Sequence, residues 1–219
     1  MKIEYKYDFS YSLKMNLRPE IGPPHFKGII KQARASQYNL YRAINDIVDN
    51  VIYKCKNINI NLVFEPGTDL LDSIEFFDNY ELGFENINDK NENNPFNMAH
   101  VRIGHNNDDE TSEFGMGLKL ASIFLGKELI VYTRTNKRYY KIWFDFNFMC
   151  NKEKANESYE AREWLEIDRQ TYFENHKNSE YGSSVIIRGI RNCAYTKSKD
   201  LLSDIKKNII DTYSLIIDK

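Results

Sequence analysis

The chain has 219 residues, of which 42% are hydrophobic and 14% aromatic, and its formal net charge is −2. This length and apolar content fit one domain with a buried core and exclude a disordered chain. The near-neutral charge excludes a global electrostatic footprint for nucleic acid, so DNA contact would need a local patch or a missing domain.

The first half of the chain predicts an irregular start followed by a helix and a hairpin. Residues 1–37 are expected to be irregular, because prolines interrupt their pattern. Apolar residues at helical spacing predict a helix over 38–54. Strict alternation predicts a strand over 57–64, and a turn at Glu65-Pro66-Gly67-Thr68 leads to a second strand over 73–77.

The second half begins with a polar loop over 78–112, expected to hold one short helical turn near 98–103. A glycine-x-glycine turn then opens an amphipathic helix that Gly126 closes. The remaining predictions are strands over 129–134, 139–148 and 184–190, a charged and partly helical stretch over 151–177, and a helix over 201–217. This mixture of helices and hairpins predicts an α/β fold, a two-layer α/β sandwich with a mixed, largely antiparallel sheet covered by helices.

The scattered cysteines and histidines disfavour both a zinc site and a disulfide scaffold, and indicate a reducing compartment. No apolar run approaches the length of a membrane span, and the N-terminus lacks the apolar core of a signal peptide. We therefore expect a cytoplasmic protein without membrane contact, or a nuclear one if its host has a nucleus. The basic stretch 188–207 is best interpreted as a solvated face.

Asp46 and Asn50 lie four positions apart on the predicted helix and therefore share a face, away from its apolar stripe. An amide oxygen is a hard ligand that suits Mg²⁺, and a carboxylate can orient and deprotonate an attacking water. The pair is thus compatible with magnesium–triphosphate chemistry. A solvated helix face remains the alternative.

Asp78 ends the second predicted strand, where a carboxylate can accept a hydrogen bond from an exocyclic amino group such as that of adenine. An Asx turn is the alternative for this segment. At the glycine turn, Gly115 and Gly117 would let the backbone approach a phosphate, whose charge the helix N-terminus offsets. Lys119 then adds a cation or is a surface lysine.

The segment Gly182-Ser183-Ser184 enters the strand over 184–190. Its two hydroxyls can contact a phosphate, although serines at the start of a strand are also common turn chemistry.

These segments, in this order, resemble those of the GHKL ATPases, the superfamily of gyrase, large heat-shock chaperone, histidine kinase and MutL proteins. AINDIVDN resembles the first box of that superfamily, A-x-x-E-L-x-D-N, and EFGMGLKLASIFLGKELIVYTR resembles its phosphate-binding box. YGSSVIIRGIR is similar to a G-T-x-I-I-I strand, and the last two segments are closest to the microrchidia branch. The resemblance implies a histidine kinase-like ATPase fold, with an ATP-binding domain over 38–219 and a lid over about 84–114.

The resemblance also implies roles for individual residues. Asp46 falls where the family has its catalytic glutamate, Asn50 would bind Mg²⁺, and Asp78 with Gly83 would read adenine. The remaining positions implied to contact nucleotide are Gly115, Met116, Gly117, Leu118, Lys119, and Ser183 or Ser184 in place of the family threonine. ATP and Mg²⁺ are the implied cofactors. Slow hydrolysis would drive lid closure and nucleotide-dependent homodimerisation or partner binding.

Two departures from the family pattern keep a second function open. Asp46 is one methylene shorter than glutamate, and positioning errors of about 1 Å can cost on the order of a hundredfold in rate. The adenine box, usually D-x-G-x-G, reads DNYELG, with Tyr80 at the first glycine and Gly83 matched through an insertion. The chain is therefore expected to be an ATPase module, or else a nucleotide-binding module without hydrolysis.

Overall fold

The computed structural model describes residues 25–35, 38–87, 94–96, 117–151, 161–177, 179–191 and 198–217. The strands are β1 (Ile58–Phe64), β2 (Leu71–Asp78), β3 (Glu128–Thr135), β4 (Arg138–Asp145), β5 (Glu163–Ile167) and β6 (Ser183–Arg188). The helices are α1 (Phe26–Ala35), α2 (Leu40–Val48), α3 (Gly117–Leu125), α4 (Phe146–Cys150), α5 (Arg169–Asn175) and α6 (Ser198–Ile217). In this part of the chain, no helix is both long and apolar enough to cross a membrane.

The six strands form one sheet in the order β1-β2-β6-β3-β4-β5, and every described pairing is antiparallel. β6 enters between β2 and β3, although about fifty residues or more separate it from each along the chain. The central position of β6 brings its first residues beside the end of β2. Phe77 pairs with Ser184 there, and Thr133 of β3 pairs with Ser183 on the other side.

The two faces of the sheet carry different cores, because successive side chains of a strand point to opposite faces. One face packs against α1, α2, α3 and α6 and contributes to the main core through residues such as Phe76, Val131 and Val185. The other face carries a smaller cluster in which Tyr172 of α5 covers Ile130 and Ile186. The predicted α/β sandwich is confirmed, with its main helical layer on the first face.

Several local predictions need correction, and the helix predicted over 38–54 is shorter, since α2 covers only Leu40–Val48. The segment expected to be irregular up to residue 37 contains α1, whose residues Phe26, Ile30 and Ala33 are buried at helical spacing. The prolines that suggested irregularity all precede this helix. The strand predicted over 139–148 ends at Asp145, whose side chain accepts hydrogen bonds from the backbone N–H groups of Asn147 and Phe148 and so caps α4.

The charged stretch 151–177, predicted to be partly helical, also contains the edge strand β5. The polar and apolar residues of this strand do not alternate clearly, because Glu163 is half-buried whereas Leu165 is exposed, like Glu166 beside it. Pairing with β4, including Trp164 opposite Ile142, defines this strand. The helical turn predicted near 98–103 lies outside the described residues.

Candidate functional site

Helix α2 buries one face and presents Asp46 on the other. Ala43, Ile44, Ile47 and Val48 are buried, whereas Asp46 and Asn50 are half-buried. Because α2 ends at Val48, Asn50 lies in the turn that follows, where its Nδ2 donates to the Asp46 carbonyl oxygen at 2.6 Å. This bond uses the amide nitrogen and leaves the amide oxygen Oδ1 as the atom suited to a hard cation.

The first residue of α3 lies against Asp46. A Cβ added to Gly117 would be 3.6 Å from the Asp46 carbonyl oxygen and 3.7 Å from its Cβ. The N-terminus of α3, with the positive end of its dipole, is therefore next to α2. The structure thus places Gly117, the first described residue of the segment predicted to bind phosphate, beside Asp46.

Of the other residues in this segment, only those within α3 are described, and they are buried. Gly115 and Met116 lie outside the described residues. Leu118 and Lys119 are 7% and 6% exposed. The alternative interpretation of Lys119 as a surface lysine is therefore wrong, because α3 is buried around most of its circumference.

Asp78 is a buried carboxyl group at the end of β2, with 8% of its surface exposed. Its Oδ1 accepts a hydrogen bond from the Tyr80 N–H at 2.9 Å. Burial raises the pKa of Asp78 to about 6, while hydrogen bonds from the backbone N–H groups of Tyr80 and Ser183 act in the opposite direction. A desolvated acceptor of this kind gains from a hydrogen-bond donor on a ligand.

The loop after β2 is held against β3 at Gly83. The Gly83 φ is +60°, and a Cβ there would be 2.2 Å from the carbonyl oxygen of Arg134, so this backbone approach requires glycine. The next residue, Phe84, donates its N–H to Thr133 Oγ1 at 3.0 Å. Gly83 therefore lies beside the strand that flanks Ser183.

Thr133 is a residue of the candidate site that no sequence motif marks. It is fully buried, and its Oγ1 lies 2.8 Å from Ser183 Oγ. A threonine inside an apolar strand carries no motif of its own, so only the pairing of β3 with β6 reveals it. Together, Asp78, Thr133 and Ser183 form a buried polar cluster.

The sheet separates the two serines that the sequence analysis treated as equivalent. Ser183 faces Thr133, whereas Ser184 points to the opposite face, where its Oγ lies 2.7 Å from His176 Nδ1 and donates to the Asn175 carbonyl oxygen at 3.0 Å. Ser184 therefore lies on the face of the sheet away from Asp46 and Asp78, which favours Ser183 over Ser184 as a nucleotide contact. Ser184 instead joins β6 to the end of α5.

The polar cluster and α2 lie on the same side of the sheet. Asp78, Thr133 and Ser183 are each two residues from a core residue that packs with α2 and α3, respectively Phe76, Val131 and Val185. The side that carries Asp46, Asn50 and Gly117 is thus the side to which the buried carboxyl group points. An elongated ligand could donate a hydrogen bond to the buried carboxyl group of Asp78 at one end and contact the N-terminus of α3 at the other.

The described residues contain no group of three or more His, Cys, Asp or Glu side chains that could hold a metal ion. The Asn50 amide oxygen is a type of ligand that fits Mg²⁺, which proteins often bind through one or two side-chain oxygens together with substrate phosphates and water.

Known proteins resemble this chain in sequence or in structure. The family described as histidine kinase-, DNA gyrase B-, and HSP90-like ATPase matches residues 38–182. No curated protein matches the chain. The ATPase region of Saccharomyces cerevisiae topoisomerase II is similar in structure at 15% identity and a TM-score of 0.47, covering 78% of this chain and 44% of that chain.

The same region bound to ICRF-187 (dexrazoxane) is similar at 15% identity and a TM-score of 0.46, again over 78% of this chain and 44% of that one. The chain thus spans less than half the length of these two structures. The family match includes Asp46, Asn50, Asp78 and the start of α3, and it covers most of the chain. This chain belongs to the histidine kinase-, DNA gyrase B- and HSP90-like ATPase family.

Proposed function

We propose that the chain is an Mg²⁺-dependent ATP-binding module that hydrolyses ATP slowly. The observation that carries this proposal is the position of the N-terminus of α3 against Asp46, on the side of the sheet to which Asp78 points. Within the family, the segment from 113 to 134 supports placement in the microrchidia-like branch. Closure of the lid over about 84–114 and nucleotide-dependent homodimerisation or partner binding would follow from ATP binding.

The base of the nucleotide would lie at the buried polar cluster. Asp78 would accept a hydrogen bond from the exocyclic amino group of adenine, which supplies the donor that the buried carboxylate favours. Ser183 and Thr133 would order the pocket around it through their mutual hydrogen bond. Gly83 would keep the following loop close to β3.

The phosphates would lie at the N-terminus of α3, with Gly115, Met116, Gly117, Leu118 and Lys119 as the proposed binding segment. Backbone N–H groups and the helix dipole favour anions at such a position. Asn50 Oδ1 would be the protein ligand of Mg²⁺. When bound, that ion neutralises charge on the phosphates.

Asp46 would act as the general base. Its carboxylate would accept a proton from water as the water oxygen forms a bond to the γ-phosphorus. The bond between that phosphorus and the bridging oxygen of the β-phosphate breaks, and ADP leaves with the electron pair. The products are ADP and inorganic phosphate.

Calorimetric titration of Mg-ATP into wild type and Asn50→Ala tests the binding site. We expect affinity on the order of micromolar for the wild type and no detectable binding for Asn50→Ala, because its cation ligand is gone. Asn59→Ala is the matched control, since Asn59 is exposed on β1. Circular dichroism would confirm that both variants fold, and unaltered binding by a folded Asn50→Ala would contradict the assignment.

A non-catalytic nucleotide-binding module is the second candidate. It is favoured by the short side chain of Asp46 and by Tyr80 at the first glycine position of the adenine box. Phosphate release by wild type, Asp46→Glu and Asp46→Ala separates the two functions. An ATPase predicts activity that Asp46→Ala loses. The non-catalytic module predicts that all three proteins bind ATP and match the buffer blank.

A further inference from the structure

Asp46 has a hydroxyl partner that precedes its own helix. Tyr38 lies two residues before α2, and its hydroxyl donates a hydrogen bond to Asp46 Oδ2. A Tyr–Asp contact across eight residues is not a helical i,i+4 pair. It forms because the chain enters α2 in an extended conformation at Asn39, with φ −126° and ψ 170°.

The Tyr38 ring is held from two directions. It packs edge-on against Phe124 of α3, with centroids 5.3 Å apart and planes at 79°. The Arg42 guanidinium lies 5.4 Å from its centroid. Asn39 caps α2 by accepting the Arg42 N–H at 2.8 Å, which also fixes the chain entry next to Tyr38. The hydroxyl position is therefore set by α3 as well as by α2.

We propose that Tyr38 is a positioning residue that holds Asp46 Oδ2, so that Oδ1 is the oxygen presented to the attacking water. This inference rests on the proposed hydrolysis of ATP. An aspartate is shorter than the glutamate of the family. The orientation of the Asp46 carboxylate therefore has a larger influence on whether it reaches the attacking water. Misplacement of about 1 Å can reduce a rate on the order of a hundredfold.

The local electrostatics keep Tyr38 a donor. Burial raises the pKa of Tyr38 far above its ordinary value, and the hydrogen bond and negative charge of Asp46 raise it further. Among the described residues, the other charged or titratable groups coupled to this pair are Arg42 on α2, Asp49 at its C-cap and Tyr213 on α6. The Tyr38 hydroxyl therefore stays protonated at neutral pH and can hold the Asp46 carboxylate.

Tyr38→Phe removes the hydroxyl and keeps the ring against Phe124. We expect kcat to fall about 10- to 100-fold, while KM and the Kd for Mg-ATP stay within about twofold. A loss of kcat at unchanged KM and Kd is what a positioning role predicts. A role in folding alone would instead lower the fraction of protein that binds ATP, which calorimetry measures.

Tyr213→Phe is the matched control. Tyr213 also donates its hydroxyl to a carboxylate of the α2 segment, Asp49 Oδ1, at 2.6 Å. The Tyr213→Phe variant should leave kcat, KM and Kd within about twofold of the wild type. An equal loss in both variants would show a general loosening of α2 and overturn the specific role of Tyr38.

A measurement on the nucleotide-free protein tests the contact independently of turnover. With ¹³C-labelled tyrosine, the Tyr38 ring resonance, assigned from its absence in Tyr38→Phe, should resist ionisation in the wild type. In Asp46→Asn it should ionise at lower pH, because the neighbouring negative charge is removed. An unchanged titration would overturn the contact on which the proposal depends.

The kinetic outcomes distinguish this inference from the proposed function. ATP binding without phosphate release in the wild type would overturn hydrolysis and the positioning role together. With an active wild type, an unchanged or increased kcat in Tyr38→Phe would overturn the positioning role alone. An increase would show that Tyr38 restrains the base.

Discussion

Gly182 lies directly against the backbone of Asp78, since a Cβ at Gly182 would be 1.9 Å from the Asp78 carbonyl oxygen. Its φ of +112° is also unfavourable for residues with a side chain. The contact joins the start of β6 to the end of β2 and sets the place of the buried carboxyl group.

Gly182→Ala should therefore destabilise the protein by about 2 kcal/mol or more and weaken ATP binding. Urea unfolding and calorimetry provide the two measurements. Gly67→Ala is the control, because Gly67 has φ +78° but no heavy atom within 4 Å of an added Cβ. It should cost only about 1 kcal/mol, so equal losses in both variants would contradict the role of the Asp78 contact.

Ser183→Ala and Ser184→Ala form a matched pair on opposite faces of β6. Ser183→Ala removes the partner of Thr133 in the proposed adenine pocket and should weaken ATP binding several-fold. Ser184→Ala removes the partner of His176 on the other face and should lower stability by about 1 kcal/mol, with ATP affinity unchanged. Titration and thermal unfolding of both variants test this, and a reversed pattern would place the nucleotide on the α5 face.

Asp78 should make stability depend on pH in a defined direction. Its folded pKa of about 6 exceeds the ordinary 3.8, so between these values the folded state binds more protons than the unfolded state. Stability should therefore fall as pH rises through this window, by up to roughly 3 kcal/mol. Asp78→Asn should remove this dependence, be more stable than wild type at pH 7, and bind ATP more weakly.

The free energy of unfolding of wild type and Asp78→Asn is measured by chemical denaturation at several pH values from about 4 to 7, which include the window between the two pKa values of Asp78. Burial lowers the pKa of His176. This residue therefore changes stability in the opposite direction to Asp78, because its contribution is lost as pH falls below the pKa of histidine in the unfolded chain. The difference between the two proteins at each pH isolates Asp78. A difference that is constant across the window would show that Asp78 is ionised throughout.

Lys137→Gly should stabilise the protein. Asn136 and Lys137 form the two-residue turn between β3 and β4 with φ values of 50° and 63°, which match a type I′ turn that favours Asn-Gly. Glycine removes the left-handed penalty and should add about 0.5–1 kcal/mol. Lys137→Ala removes the same charge but keeps the Cβ, so thermal unfolding should show no gain for it.

Local sequence signals predicted most of the elements. The apolar stripe of α2, the alternation of β1 and the glycines around α3 each act within a few residues, so helix, strand and turn could be predicted without a partner. The edge strand β5 could not, because its mixed side chains become a strand only through pairing with β4. The order of the boxes likewise predicted the family.

The candidate site was predictable only in part. Asp46, Asn50 and Asp78 are recognisable by residue type and spacing, whereas Thr133 becomes part of the site through a hydrogen bond to Ser183, fifty residues away. Tyr38, like Thr133, could not be predicted from the sequence, because its contact with Asp46 depends on the chain conformation before α2 and on packing against Phe124.

The sequence by itself determined the secondary structure around the site and the chemical types of its main residues, because periodicity, capping and turn chemistry are local. Tertiary structure decided which side chains meet. The choice between Ser183 and Ser184 shows why. Residues 183–187 of β6 are all buried, so the strand has no exposed polar face from which the direction of each serine could be predicted. Only the pairing of β6 between β2 and β3 directs Ser183 toward Asp78, through long-range contacts that no local pattern encodes.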